Sequence, residues 1–317
     1  FLIQGSNTSS SSIFFEFSAN DTGGNEDKGV GIGQIECSVD NSNFTDCVSP
    51  LEIKSNALKD GAHNFMIRAE DNVGNLSPDP SSFNWTIDTE SPNTIISNVT
   101  DGNRTSISNG SNTRFNSATF EFSGNDTGVG ISSFECSIDN SNFNTCSSPV
   151  QATNLTEGDH IVKIRSQDSV GNIDISPPSF SWTVDTVPPE TSIVSAVDGN
   201  ESLIATGQNT SSNLITFEFS ANDTGGVGID HFECSLDGAS FTVCSSPVHL
   251  TSENITDGTH TFEVLAVDNS TNEDPSPSSF NWNVDTISPI VSIDNAMDDY
   301  NNTINNGSST KSKAVTI

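Results

Sequence analysis

Positive charge is scarce in this chain: 10 Lys and Arg stand against 42 Asp and Glu in 317 residues, for a net charge of −32. Binding nucleic-acid phosphate needs clustered Lys and Arg, which so few scattered cations do not provide. Apolar residues are also sparse, at 32% of the chain, and even with glycine added the total stays below the ~45–50% of a typical globular domain. One large core is therefore excluded. No stretch approaches the ~18 consecutive apolar residues of a membrane helix. Phe1 is neither an initiator Met nor part of a charged-then-apolar secretion signal, so the sequence reads as a fragment or a processed chain. No i, i+3, i+4, i+7 stripe persists for three turns, and no G-x-S-x-G, H-E-x-x-H, Walker or dinucleotide fingerprint is found.

What is present is repetition. Phe134-Glu-Cys-Ser-Ile-Asp139 returns as Phe232-Glu-Cys-Ser-Leu-Asp237, with Ile35-Glu-Cys-Ser-Val-Asp40 as an earlier copy. Trp85, Trp182 and Trp282 recur at the same period of about one hundred residues, which is domain-sized. Phe83, Trp85 and Ile87 alternate with polar residues, as do Phe180, Trp182 and Val184, and Phe280, Trp282 and Val284. That period of two marks a half-buried antiparallel strand. Phe15/Phe17, Phe120/Phe122 and Phe217/Phe219 follow the same rule. Short strands, frequent Gly, Asn, Asp and Pro turns and this repeat length predict an all-β chain of three tandem immunoglobulin-like, fibronectin III-like sandwiches, each of about seven strands.

Six cysteines form three equally spaced pairs, Cys37/Cys47, Cys136/Cys146 and Cys234/Cys244. An Asp-Asn or Asp-Gly hairpin signal lies inside each, at Asp40-Asn41, Asp139-Asn140 and Asp237-Gly238. One pair per repeat selects local bridges, with the two sulfurs opposed across the hairpin, and hence an oxidising compartment. Two thiols per copy without a fixed histidine pair make a thiolate metal site the poorer reading.

The run from Phe232-Glu-Cys-Ser-Leu-Asp-Gly through Phe241-Thr-Val-Cys-Ser-Ser-Pro-Val and Asp257-Gly-Thr-His-Thr-Phe-Glu-Val to Phe280-Asn-Trp-Asn-Val-Asp-Thr286 resembles the tandem immunoglobulin-like repeats of large bacterial and archaeal cell-surface proteins. The resemblance covers nearly the whole chain, three times over. It implies secreted, multi-copy adhesins, stalks or fibres and names no ligand. The first copy departs from it by an insertion around Asn25-Glu26-Asp27-Lys28, and the third reads Asp268-Asn-Ser-Thr-Asn272 where the others have Asp-x-Val-Gly-Asn.

The expected domains are 1–89, 90–186 and 187–286, with 287–317 as the start of a fourth unit or a donor strand. Aligned on the Glu-Phe-Ser motif, the first copy has no counterpart of the opening strand at Thr94–Val99, whereas Ile290–Ile293 supplies an extra one. Two readings follow. The chain is a window on a longer array, or its last strand fills the gap in the next copy to give a head-to-tail polymer by donor-strand complementation.

His63, His160 and His260 occupy one repeat position and read as structural. Acidic positions carry more. Each copy has Asn-Asp-Thr-Gly after the second strand (Asp21, Asp126, Asp223), Asp with Asn four residues on after the sixth (Asp71, Asp168, Asp268), and Asp-Thr closing the Trp strand (Asp88, Asp185, Asp285). In sandwich topology the exit of one module meets those two loops of the next. Asp88 is thus expected beside Asp126 and Asp168, and Asp185 beside Asp223 and Asp268. Three converging carboxylates repel unless a cation lies between them, and hard oxygen donors suit Ca²⁺. The alternative is that these Asp residues simply initiate turns. Short Pro-stiffened linkers at Thr89–Pro92 and Thr186–Pro189 limit hinging.

Sequons for N-linked glycans are dense, at Asn7, Asn20, Asn43, Asn75, Asn98, Asn103, Asn109, Asn125, Asn154, Asn200, Asn209, Asn222, Asn254, Asn269, Asn301 and Asn306. Asn84, in a strand beside Trp85, is set aside as a poor acceptor. The resulting reading is a non-enzymatic segment of an extracellular filament or giant surface protein, giving reach and stiffness. Its partners would be copies of itself along a fibre or neighbouring repeats. An adhesin module gripping carbohydrate or a host protein is the alternative, although one Tyr (Tyr300) and three core-type Trp offer little recognition surface.

Overall fold

A strand with one apolar face needs a second layer to cover it, and each copy meets that need with two sheets. The computed structural model describes residues 2–22, 29–54, 57–307, 309, 311 and 315–316. The insertion at Asn25–Lys28 lies outside the described residues. By contact density the chain forms two units. One is Phe1–Val187 with Gly225–Val227 and Asn269–Asn272; the other is Pro188–Thr224, Gly228–Asp268 and Glu273–Ile317.

Every described element is a strand. In the second copy a five-stranded sheet runs Asn144–Cys146, Ile131–Ile138, Gly158–Asp168, Ser179–Val184, Asn112–Thr113, facing a three-stranded sheet of Val150–Ala152, Ala118–Asn125 and Asn93–Asp101. The third copy repeats both sheets strand for strand. Each therefore has eight strands where the pattern suggests about seven. The extra one is the two-residue strand Asn112–Thr113, which pairs parallel with the Trp strand and is too short to show a period in sequence. Among the described residues of the first copy, Ile13–Phe15 pairs only with Leu51–Ile53. At the other end Met297–Asp298 pairs antiparallel with Val315–Thr316, with Asp298 opposite Val315 as Asp198 is opposite Ile215.

The cores are small and aromatic. Trp182 is 1% exposed and tilts against Phe120 at 5.2 Å between centroids, with Phe180 edge-on to the same phenylalanine. Trp85 and Trp282 have the same surroundings in Phe15 and Phe217. Such tilted and edge-on contacts add about 0.5–1.5 kcal/mol beyond area burial.

All three disulfides are local: Cys37–Cys47, Cys136–Cys146 and Cys234–Cys244. Asp139 and Asn140 take φ of 51° and 57°, the left-handed pair that a tight type I′ turn demands. The sulfurs nevertheless join diagonal neighbours. Cys136 lies opposite Asn144 and Cys146 opposite Phe134, because the ladder centres on residue 140, one short of the midpoint between the cysteines.

Replacing Cys136 and Cys146 together by Ser removes a short-loop constraint of about 2.5–3 kcal/mol. Chemical denaturation is expected to show the loss, with the backbone circular dichroism of the folded state unchanged. A variant as stable as wild type would show the bridge to be dispensable.

Candidate functional site

Three of the predicted carboxylates do converge within the first unit. Asp88 follows the Trp strand Ser81–Ile87, Asp126 follows Ala118–Asn125, and Asp168 ends Gly158–Asp168. One oxygen from each lies within 4.8 Å of the others. Asp88 is 0% and Asp168 2% exposed.

Backbone amides hold this cluster. Asp88 Oδ2 accepts the Val129 N–H at 2.8 Å and Oδ1 that of Glu90, while its carbonyl accepts Asn172 Nδ2 at 2.9 Å. Asp168 Oδ1 accepts the amides of Val170, Gly171 and Asn172, and Oδ2 accepts Asn172 Nδ2 at 2.7 Å. Asp126 Oδ2 accepts Gly128 N–H and Gly130 N–H; its Oδ1 is buried and accepts no hydrogen bond among the described residues. Turn-capping and carboxylate clustering thus occur in the same side chains, and the two sequence readings are not exclusive. Gly128 is required by its neighbour, since a Cβ there would overlap the Asp88 carboxylate.

The other trio divides between the units. Asp185 lies in the first, where it accepts the Val227 N–H at 3.0 Å and its carbonyl accepts Asn272 Nδ2. Asp223 and Asp268 lie in the second; Asp223 accepts Gly228 N–H, and Asp268 is 1% exposed at the end of Gly258–Asp268. In the first copy Asp71 has the same local turn. Two hydrogen bonds from Asn75, backbone amide and side chain, hold its carboxyl below the ordinary 3.8.

Fifteen of the sixteen candidate glycan acceptors are exposed and Asn98 is half-buried. At four of them the side-chain amide already donates a hydrogen bond: Asn75 to Asp71, Asn98 to Glu121, Asn222 to Thr224 and Asn269 to the Val227 carbonyl.

Sequence reasoning missed a second polar clamp. Thr94 donates its N–H to Asp174 Oδ2 at 2.9 Å, and its hydroxyl oxygen accepts the Ser166 N–H at 2.8 Å, all three residues being buried. Thr191, Asp274 and Ala266 repeat this in the second unit. The signal was the recurrence of Thr and Asp at the repeat period, hidden among many surface residues of both types.

No protein-family model and no curated protein matches this chain in sequence. Solved structures are similar in fold. Fibronectin(III)-like modules of Clostridium thermocellum CbhA align at 15% identity and TM-score 0.35 over 59% of this chain and 93% of theirs. A 1.5-MDa bacterial ice-binding adhesin aligns at 13% and 0.38 over 81% and 89%. A Ca²⁺-stabilized adhesin of an Antarctic bacterium aligns at 14% and 0.34 over 88% and 71%.

Gly128→Ala is expected to destabilise the first unit by about 1–3 kcal/mol through overpacking against Asp88. Thermal unfolding checks this; an unchanged midpoint would mean the Asp88 carboxylate is not seated there.

Proposed function

We propose that this chain is a non-catalytic segment of an extracellular surface protein that holds distance between whatever lies at its ends. The observation that carries the reading is recurrence. The same disulfide-closed, Trp-centred fold returns copy after copy, and the polar clamp of Thr94 with Asp174 returns as Thr191 with Asp274. Three disulfides fit an oxidising compartment. The groove along Asn93–Asp101, about 590 Å³, is lined by residues such as Thr94, Ile95, Ile107 and Phe180 and has no acid, base or thiol in its wall. Catalysis draws on pre-organised titratable groups in a cleft, which such a wall does not supply; the pocket of about 380 Å³ that does hold an acid and a base, Asp40 and His63, has the two bonded to each other.

The same reading assigns the carboxylate cluster a mechanical task. Asp88 closes one copy while Asp126 and Asp168 belong to loops of the next, so a Ca²⁺ ion held by them would cross-link the junction. The donor set suits that ion: carboxylate oxygens, with the unengaged Asp126 Oδ1 among them. By the sequence repeat, Asp185, Asp223 and Asp268 are the counterparts. N-linked glycans on exposed acceptors such as Asn7 and Asn209, which sit in short edge strands, would also shield those edges from pairing with other chains.

Small-angle scattering of the purified chain is expected to give the profile of an elongated particle, and a compact globule would overturn the spacer reading. Calorimetry after EDTA and again after Ca²⁺ addresses the junction separately. The melting temperature should rise with Ca²⁺ in the wild type and not in the double variant Asp126→Asn, Asp223→Asn, which alters both clusters. No response in the wild type would remove the ion and leave the spacer reading standing.

A further inference from the structure

Each copy contains, at one repeat position, a histidine whose two ring nitrogens both lie within hydrogen-bonding distance of acceptors. His160 places Nδ1 2.8 Å from Asp139 Oδ2 and Nε2 2.8 Å from the Thr156 carbonyl oxygen. His260 does the same with Asp237 at 2.8 Å and the Thr256 carbonyl at 2.7 Å. His63 repeats it with Asp40 and the Lys59 carbonyl. A carbonyl oxygen cannot donate, and neither can an ionised carboxylate. A neutral imidazole has one N–H and one lone pair, so it would leave one of these short contacts as lone pair against lone pair. Only the doubly protonated ring satisfies both partners.

The contacts join parts of the fold that are distant in sequence. Asp139 is the first left-handed residue of the disulfide hairpin turn, and its Oδ1 also accepts the Ile161 N–H. Thr156 belongs to the segment leading into Gly158–Asp168, and the ring lies over Trp182 at 5.5 Å between centroids. His160 and His260 are 6% and 7% exposed, whereas the Asp side chains they meet are 45% and 42% exposed.

We infer that His160 and His260 are imidazolium cations in the folded chain, and that each clasps the hairpin turn to the Trp strand until rising pH removes its proton. The charged groups facing these rings are few. His160 meets Asp139 from the hairpin and Asp159 from its own strand; His260 meets Asp237; His63 meets Asp40. The Trp strand offers only its uncharged indole. Burial opposes the charge on His160 and His260, but the carbonyl and carboxylate acceptors outweigh it and hold both rings above the ordinary 6.5. For a group whose folded value is raised, the added stability is complete below the unfolded value. It fades as pH climbs through the folded one. The clasp is therefore fully closed below the ordinary imidazole value of 6.5 and opens as pH climbs through the raised values of the folded chain.

Side-chain ¹H–¹⁵N correlation spectra of the full chain, recorded from pH 5 to 9.5, read this directly. His160 and His260 are expected to show two protonated nitrogens at the acid end and to titrate above the ordinary imidazole value of 6.5. Melting temperature should fall across the same interval. In Asp139→Asn, whose Oδ1 can still accept the Ile161 N–H, the His160 midpoint should drop while that of His260 stays. His160 and His260 titrating at or below 6.5 in the wild type would overturn the inference, and that result does not depend on the variant folding.

Discussion

Everything in this fold hangs on burying one indole per hundred residues. With under a third of its residues apolar, a copy cannot fill a broad interior. It concentrates its large side chains on the inner face of the five-stranded sheet and on the Phe-Glu-Phe strand opposite. Trp85, Trp182 and Trp282 are each nearly inaccessible, and the buried phenylalanines surround them. A core this thin cannot order its own periphery by area alone, which is why the remaining devices are local and polar. The disulfide closes the hairpin nearest the core, and the hydroxyls of Ser49, Ser148 and Ser246 accept the amides of Phe17, Phe122 and Phe219 to fix the strand facing it.

Polar clamps then do at the seams what apolar burial does at the centre. Thr94 and Asp174 pin the opening strand to the far sheet in one copy, and Thr191 and Asp274 do so in another. Buried hydrogen bonds of this sort add little net stability each but cost much when one partner is lost, so they fix register more than they add free energy. The first copy reaches the same end differently: Ser77 stands where Asp174 stands, and its hydroxyl oxygen accepts the Ala69 amide without help from an opening strand. At the junction, Asn172 bonds both Asp168 and the Asp88 carbonyl, making one side chain a spacer between a loop and the exit of the preceding strand.

Much of this was legible because repetition turns one sequence into three trials. The period, the alternation around Trp182 and the Cys136/Cys146 spacing gave the sandwich and its staple, and topology alone brought Asp88 to Asp126 and Asp168. What stayed hidden lacks a periodic mark. The strand Asn112–Thr113 is two residues long, and the diagonal placement of Cys136 and Cys146 depends on where the ladder centres. The His160–Asp139 contact spans 21 residues between elements whose facing was unknown, so a repeated histidine could be read as structural without its partners.

The shortage of cations gives the histidines their weight. Arg68 meets Glu36 at 2.6 Å and covers the Phe44 ring, and Arg165 meets Glu135 and covers Phe143. In the third copy the position of these arginines is Leu265, and the acid at 233 is left to His231, which also faces Asp230. A chain at −32 has few guanidinium or ammonium groups to place at each carboxylate. It uses backbone amides at Asp88, Asp126 and Asp168 and imidazoles at Asp40, Asp139 and Asp237. Amides do not titrate and imidazoles do. Above the carboxylate range the turns at Asp88, Asp126 and Asp168 therefore keep their partners as pH rises, while the hairpins at Asp139 and Asp237 lose theirs.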